Sequence, residues 1–295
     1  MKIVVSGSSG LIGSPLVQAL EARGDTVVRL RRGGQWDPER GTIDRAALEG
    51  SDAVIHLAGE NIFGRWTEAK KQRIRDSRVR GTRLVSNALV GLARPPKVLL
   101  AASAVGYYGD RGSEKLTERH SPGHDFLAEV AREWEEATGS AGRAGIRVVN
   151  MRFGIVLSPA GGALGKMLPP FRLGLGGPIA SGAQYVSWIE HSDLLKAIQH
   201  LLERDDLSGA MNLTAPNPVT NREFATTLGK VLHRPAVVPV PAFALRLAFG
   251  TDGAAMLQGG QRVLPERLVA SGFQFAFPTI EAALRYLLAR SERVP

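Results

Sequence analysis

The sequence predicts an α/β protein built on a doubly wound parallel sheet, followed by a smaller α/β part. Its first 150 residues alternate short apolar runs with stretches of helical periodicity, the pattern of a parallel sheet that is buried on both faces. A glycine-rich turn follows the first apolar run directly. Because crossovers between parallel strands are right-handed, we expect helices on both faces of the sheet.

The individual elements follow from these runs. Strands are predicted at residues 2–6, 26–30, 53–58, 97–103 and 147–152. Helices are predicted at residues 11–23, about 68–92, 126–140, 192–203 and 221–232. The last of these helices starts at a capping box, in which Thr220 and Glu223 satisfy each other's free backbone amides.

Residues 154–182 differ from the preceding part of the chain in their glycine and proline content. They contain eight glycines and four prolines, which indicates a long irregular segment of the functional or mobile kind. A linker between two independently folding domains is one interpretation. We favour a flap on the substrate side, because apolar side chains punctuate the segment: Met167, Leu168, Phe171, Leu173 and Leu175.

The composition excludes several classes of protein. With 44% hydrophobic and 22% charged residues, the chain has the composition of an ordinary globular protein. The absence of cysteine excludes a disulfide scaffold, a thiolate metal site and a cysteine nucleophile, and we predict no metal. No apolar stretch is long enough for a membrane helix, and the first strand leaves no room for a signal peptide. We therefore predict a cytoplasmic protein without a membrane partner.

The net charge of +9 favours anionic ligands. Eight basic residues lie between positions 65 and 83: Arg65, Lys70, Lys71, Arg73, Arg75, Arg78, Arg80 and Arg83. They indicate either a solvated helix face or a helix that faces a phosphate. We predict no nucleic-acid partner, because no aromatic residues interleave with the run and no recognition motif is present.

The turn after the first strand has the spacing of a dinucleotide fingerprint, Gly-x-x-Gly-x-x-Gly. Gly7 permits the tight turn, Gly10 lets backbone amides approach a pyrophosphate, and Gly13 lets the helix pack closely on the sheet. Together with Ser9, Leu11 and Ile12, these glycines are the predicted contacts of the cofactor's phosphates.

The end of the second predicted strand indicates which nucleotide binds. An NAD site has a carboxylate there that bonds the ribose 2′-hydroxyl, but this segment reads RLRRGG (29–34) with no acid before Asp37. Guanidinium groups match the oxygens of a phosphate. We therefore predict NADP(H), with Arg31 and Arg32 near its 2′-phosphate; two exposed surface arginines are the alternative.

The chain also resembles the extended short-chain dehydrogenase/reductases. The resemblance lies in the glycine spacing and in DAVIHLAG (52–59), SAVGYYG (103–109) and SWIEHSDL (187–194). GENI (59–62) and FRLGLGG (171–177) resemble an atypical branch of NAD(P)-dependent epimerases/dehydratases, and LPERL (264–268) with GFQF (272–275) resembles its C-terminal domain of unknown function. The resemblance implies a Rossmann fold, a nicotinamide cofactor, a cleft under the C-terminal part and often a homodimer.

The resemblance implies further site residues. Leu57, Ala58 and Gly59 would lie beside the cofactor, and Arg78 would reach toward the nucleotide. Ser103 would end the strand beneath the nicotinamide. Ile155 would pack near the nicotinamide ring, although Leu57, Ala58 and Ile155 are also compatible with plain core positions.

One departure from the family affects the predicted chemistry. Its enzymes carry a Tyr-x-x-x-Lys pair on the helix after the Ser103 strand, in which the lysine lowers the phenol pKa for proton exchange. Here Phe126 and Val130 hold that spacing, and neither can transfer a proton. As a substitute we predict that Ser103 orients the substrate and that Tyr108 donates a proton.

Two functions remain open. The first is an NADP-dependent oxidoreductase or epimerase that acts on a small polar, sugar-like substrate; the second is a non-catalytic NADP(H)-binding regulator or sensor. We expect an NADP-binding domain at residues 1–155 and a substrate-side region at 156–295, with a small C-terminal domain from about residue 248.

Overall fold

A parallel sheet of six strands forms the centre of the computed structural model, which describes residues 1–291. In chain order, the strands are β1 (Lys2–Ser6), β2 (Thr26–Leu30), β3 (Trp36–Asp37), β4 (Thr42–Ile43), β5 (Ala53–His56), β6 (Val98–Ala104), β7 (Lys115–Leu116), β8 (Arg147–Phe153), β9 (Ile155–Leu157), β10 (Tyr185–Val186), β11 (Trp188–Glu190), β12 (Gly209–Leu213), β13 (Val219–Thr220) and β14 (Arg262–Val263). The longer strands form the central sheet, and the short ones pair in twos.

Helices connect these strands. In chain order, they are α1 (Gly13–Ala22), α2 (Arg45–Leu48), α3 (Glu68–Leu89), α4 (Phe126–Glu136), α5 (Gly139–Arg143), α6 (Gly162–Arg172), α7 (His191–Glu203), α8 (Asn221–Leu232), α9 (Ala242–Gln258), α10 (Glu266–Ala270) and α11 (Ile280–Ser291). A 3-10 turn, Val105–Tyr108, follows β6 directly. Helix α9 is interrupted at Gly250, whose φ of 77° is not helical.

The strand order of the central sheet is β12-β8-β6-β5-β1-β2, and every neighbouring pair is parallel. From β1 the chain adds β2 on one side and then crosses to β5 on the other. The order therefore reverses between β2 and β5, and the crevice at the carboxyl ends of these strands is where ligands bind in open α/β sheets. The predicted doubly wound, Rossmann-type sheet is confirmed.

The sheet is buried on both faces, as the continuous apolar strands predict. Ile3 and Val5 of β1 pack into a core that includes α1 and α7, whereas Val4 packs on the opposite face with α3 and α5. A third cluster is formed by α8, α11 and helix α6, which belongs to the flap. The Asp193 carboxylate on α7 accepts hydrogen bonds from the amides of Ala276 and Phe277, 3.0 and 2.9 Å away, and so fixes the C-terminal segment to the sheet layer.

The prediction that residues 154–182 are irregular throughout is wrong, because the segment contains helix α6. Leu164, Leu168 and Phe171 are buried at helical spacing and pack in the third cluster. Pro169 and Pro170 lie inside this helix, near its end. Elsewhere the predicted helix 126–140 is divided into α4 and α5. The last residues of the predicted substrate-side region, 292–295, lie outside the described residues.

The capping box predicted at the start of α8 is confirmed. The Thr220 hydroxyl accepts a hydrogen bond from the Glu223 amide, and the Glu223 carboxylate accepts one from the Thr220 amide.

A buried histidine joins two strands of the sheet at their carboxyl ends. A 2.6 Å hydrogen bond connects His56 Nδ1 on β5 with Ser6 Oγ on β1, and the ring of His56 is fully inaccessible to solvent. The Trp36 ring packs edge-on against it, with centroids 5.6 Å apart. Burial lowers the pKa of His56 to about 4, so the imidazole is neutral at physiological pH.

Acid should therefore destabilise the fold through His56. The pKa of a histidine in the unfolded chain is about 6.5, so between pH 6.5 and 4 the unfolded state binds a proton that the folded state does not. The stability contribution is complete above this window and lost as the pH falls through it, by about 3 kcal/mol. Urea unfolding of wild-type protein and His56→Asn at pH 7 and pH 4.5 measures it.

In His56→Asn, the decrease of the unfolding free energy across this window should be smaller than in wild type. His124→Asn, at an exposed position, is the matched control and should retain the wild-type pH dependence. Equal pH dependence of wild type and His56→Asn would contradict the assignment.

Candidate functional site

A cleft of about 680 Å³ opens at the carboxyl ends of β1, β2 and β5. Residues 7–10, 29–32 and 57–60 line it, together with Ser14, Trp36, Pro38 and Ser77. The cleft thus lies at the point where the strand order reverses. Among the residues predicted to contact the cofactor, those that line the cleft are Gly7, Ser9, Gly10, Arg31, Arg32, Leu57, Ala58 and Gly59.

The glycine-rich turn forms the floor of the cleft. A Cβ at Gly7, whose φ is +71°, would lie 2.9 Å from the Ala58 nitrogen, and a Cβ at Gly13 would lie 2.1 Å from the Gly7 oxygen. Both positions therefore exclude any side chain. Helix α1 begins at Gly13 without a side-chain cap, so its positive N-terminal end is available to an anion.

Backbone amides of the turn remain available to a ligand. The amides of Ser9, Leu11 and Ile12 donate no hydrogen bond to any residue in the range 1–291. The Leu11 carbonyl lies 3.0 Å from His191 Nε2, and the Leu11 side chain contacts the start of the flap at Gly161 and Gly162. The Leu11 side chain lies near the flap, and the Ile12 side chain packs against the core. In the cleft these two residues therefore offer their backbone amides.

Arg31 and Arg32 lie side by side at the end of β2, and both are exposed. Arg32 forms an ion pair with Glu39. The Arg31 guanidinium has neither a hydrogen bond nor an ion pair within the described part of the chain. The cleft therefore has two cations at one end and free amides at its floor, an arrangement suited to a ligand with several phosphates.

Arg78 lies behind the cleft rather than on its wall. Its Nη1 donates to the carbonyls of Glu60 and Ile74, at 3.1 and 3.2 Å, and its guanidinium stacks over Trp134. A Cβ at Gly59 would lie 3.6 Å from the Arg78 guanidinium carbon. Burial lowers the pKa of Arg78 to about 10, and the side chain remains charged at neutral pH. Arg78 thus supports the loop at residues 57–60 from behind.

None of Ile155, Phe126 and Val130 lines the cleft. Ile155 is 39% exposed at the start of β9, where it pairs with Trp188 of β11. Phe126 packs edge-on against Trp66 and lies beneath the cations of Lys71 and Arg75. Val130 is buried. The positions of the usual Tyr-x-x-x-Lys pair are therefore occupied by packing residues.

Ser103 belongs to a buried polar network, which we call the Glu135 network: Ser103, Tyr108, Glu135, Arg152 and Asn212. Arg152 of β8 donates to both carboxylate oxygens of Glu135 on α4, at 2.7 and 2.8 Å. Ser103 Oγ donates to the same carboxylate at 2.7 Å. The Arg152 and Glu135 side chains are only 4% and 12% exposed, so this is a bidentate ion pair inside the protein.

Tyr108, the predicted proton donor, does not line the cleft. Its side chain is fully inaccessible to solvent, and its hydroxyl donates to Asn212 Oδ1 at 2.7 Å and accepts from Arg152 Nη1 at 2.9 Å. Burial raises the pKa of Tyr108 to about 12, although Arg152 opposes this. The phenol therefore holds its proton at neutral pH. Ser103 is likewise turned away, toward Glu135.

Sequence reasoning did not identify the Glu135 network. Its signal was Arg152, a charged residue at the end of the predicted strand RVVNMR (147–152), where a buried charge needs a partner. Nothing in the local sequence indicates that this partner lies on α4. Trp36, which closes one end of the cleft, was also missed.

Neither a metal site nor a membrane segment is found in the described part of the chain. No cluster of three or more potential metal ligands occurs within residues 1–291. Across the same range, no helix is long and apolar enough to cross a membrane.

Comparisons with known proteins match the whole chain. Residues 3–213 match the NAD dependent epimerase/dehydratase family, and residues 240–287 match a domain of unknown function, DUF1731. Epimerase family protein MT2273 of Mycobacterium tuberculosis is 45% identical, over 98% of each chain.

Two solved structures are similar as well. Human epimerase family protein SDR39U1 (isoform 2), crystallised with NADPH, is 38% identical with a TM-score of 0.90 and covers 98% of this chain and 99% of its own. The nucleoside-diphosphate sugar epimerase of Corynebacterium glutamicum is 33% identical with a TM-score of 0.79. It aligns with 98% of this chain and with 58% of its own length.

Removal of the Glu135 carboxylate should destabilise the protein strongly, because it leaves the buried charge of Arg152 unpaired. We expect Glu135→Ala to lower the unfolding free energy by about 3–5 kcal/mol in urea titrations. Glu136→Ala is the matched control, because Glu136 follows Glu135 on the same helix and forms an exposed ion pair with Arg132. This substitution should lower the unfolding free energy by less than about 1 kcal/mol. Similar losses in both variants would contradict the assignment.

Proposed function

Because the chain belongs to the NAD dependent epimerase/dehydratase family, we propose that it binds NADP(H) in the cleft at the strand reversal and acts as an oxidoreductase or epimerase on a small polar substrate. The observation that carries the proposal is the shared cleft of the glycine-rich turn and the Arg31–Arg32 pair. A carboxylate for a ribose 2′-hydroxyl is absent from the end of β2. The human relative crystallised with NADPH supports the same cofactor.

The proposed roles of the cleft residues follow from their chemistry. The free amides of Ser9, Leu11 and Ile12, at the N-terminal end of α1, would bind the pyrophosphate. Arg31 and Arg32 would bind the phosphate on the adenosine ribose. The bound cofactor would supply or accept a hydride.

Residues 57–59 would form the wall beside the cofactor, with Arg78 holding that wall from behind. Ile155 would lie near the nicotinamide ring.

The charge of the flap favours an anionic substrate. Residues 162–189 and 224–251 contain no Asp or Glu, but they contain the basic residues Lys166, Arg172, Lys230, Arg234 and Arg246. The two segments are joined by backbone hydrogen bonds from Val238 to Gly176 and from Val240 to Pro178. A phosphate-bearing sugar fits this acid-free surface. The relative from Corynebacterium, a nucleoside-diphosphate sugar epimerase, supports this class.

A non-catalytic NADP(H)-dependent regulator is the second candidate function. The Glu135 network favours it, because every hydroxyl and charge of that network is already hydrogen-bonded where the family's enzymes transfer a proton. Under the first candidate, the proton must come from a group outside this network.

A cytoplasmic location, a homodimer and a domain division at residue 155 stay predictions.

An equilibrium titration with NADPH and NADH tests the cofactor proposal. We expect NADPH to bind at least about tenfold more tightly, equivalent to about 1.4 kcal/mol, and this preference should disappear in Arg31→Ala/Arg32→Ala. Arg132→Ala/Arg285→Ala removes the same charge from exposed positions on α4 and α11 and should retain the preference. Failure of both nucleotides to bind would reject the proposal and its alternative together.

A substrate screen separates the enzyme from the regulator. Phosphorylated sugars and nucleoside-diphosphate sugars are incubated with protein and NADPH or NADP⁺, and cofactor absorbance and product stereochemistry are followed. For an enzyme, we expect turnover that is lost in Arg31→Ala/Arg32→Ala and retained in Tyr108→Phe, since Tyr108 is buried away from the cleft. NADPH binding without any turnover would favour the regulator.

A further inference from the structure

The Arg31–Arg32 pair lies on a short turn that ends at a buried tryptophan. The Trp36 amide donates to the Arg31 carbonyl at 3.2 Å, and the Gly33 amide donates to the Trp36 carbonyl at 3.0 Å. These two hydrogen bonds close residues 31–36 into one unit, which we call the arginine turn. The position of Trp36 therefore determines the position of both arginines.

Trp36 is the buried member of the arginine turn. Residues 31–34 are exposed, whereas the Trp36 side chain is 4% exposed and belongs to the core between the sheet and α3. Its ring packs edge-on against His56 of β5. On its other side it meets α3 at Gly81, where an added Cβ would lie 3.2 Å from Trp36 Cζ2.

The indole thus occupies a slot between β5 and α3 that is shaped by the missing side chain at Gly81. The Arg31 amide also donates to Gln35 Oε1 at 3.3 Å, and Arg32 pairs with Glu39. The other attachments of this segment are backbone hydrogen bonds. Trp36 pairs with Ile43 in the β3–β4 hairpin, and the Asp44 amide donates to the Gln35 carbonyl at 2.7 Å. A smaller side chain at position 36 should therefore loosen the arginine turn without releasing the hairpin.

We propose that Trp36 is the positioning residue that gives this cleft its preference for NADP(H) over NAD(H). This inference rests on the proposed function and deepens it. Arginine side chains on an unanchored turn lose more conformational entropy when they bind a phosphate, so a fixed turn binds it more tightly. NADH has no phosphate at this end, and its affinity does not depend on how firmly the two guanidinium groups are held.

The selectivity of two Trp36 variants tests this inference. Trp36→Leu removes the ring that contacts His56, and Trp36→Phe retains an aromatic ring there. Both are titrated with NADPH, NADH and 2′,5′-ADP, which carries the discriminating phosphate without the nicotinamide. For Trp36→Leu, we expect the affinities for NADPH and 2′,5′-ADP to fall about tenfold more than the affinity for NADH. Trp36→Phe should recover most of the preference.

A second variant approaches the indole from the opposite side. Gly81→Ala adds one methyl group against Trp36 Cζ2 and changes no residue of the arginine turn. By displacing the indole, it should also lower the preference for NADPH. Gly142→Ala on α5 is the control, because a Cβ there makes only an ordinary contact, 3.8 Å from Val148; its preference should equal that of wild type. If Trp36→Leu does not fold, Gly81→Ala decides.

Two results would overturn the inference. One is an equal loss of affinity for NADPH and NADH, which shows general damage to the cleft. The other is an unchanged NADPH preference in both Trp36→Leu and Gly81→Ala. Failure of the proposed function is distinguishable from either, because wild-type protein would then already lack a preference for NADPH.

Discussion

The close approach of the glycine-rich turn to the backbone around it is the contact on which the rest of the cleft depends. With any side chain at Gly13, α1 could not lie against the Gly7 carbonyl, because a Cβ would be 2.1 Å from that oxygen. Gly7 in turn lies against the Ala58 amide just beyond β5. The ends of β1 and β5 and the start of α1 therefore converge, and the free amides of the turn face outward.

The basic residues of α3 are placed by the fold next to acidic residues on neighbouring segments. The long basic helix α3 has acidic partners on several neighbours: Lys70 pairs with Glu60, Lys71 with Asp252, and Arg75 with Glu129 and Glu133. Part of the basic run therefore stabilises contacts between α3 and its neighbours. The cations without an acidic partner in residues 1–291 include Arg31 of the arginine turn and Lys166 and Arg172 of the flap.

The parts of the protein that the sequence predicts well are those governed by local constraints. Alternation of apolar runs gives the central strands, and glycine spacing gives the turn, because both depend on neighbours in the chain. The Glu135 network joins residues 17 positions and more apart in sequence on different elements, and no local pattern encodes it. Helix α6 was missed because Pro169 and Pro170 indicate a loop, although buried Leu164, Leu168 and Phe171 offset that tendency.

The carboxyl ends of the strands differ between the two halves of the central sheet. Around β1, β2 and β5, backbone amides and arginines are free to bind phosphates. Around β6 and β8, where the family's enzymes exchange protons, the hydroxyls of Ser103 and Tyr108 both donate within a buried network with Glu135, Arg152 and Asn212. A phenol with a pKa of about 12 is a poor acid at neutral pH. Under the proposed function, the group that exchanges a proton with the substrate therefore lies outside the Glu135 network.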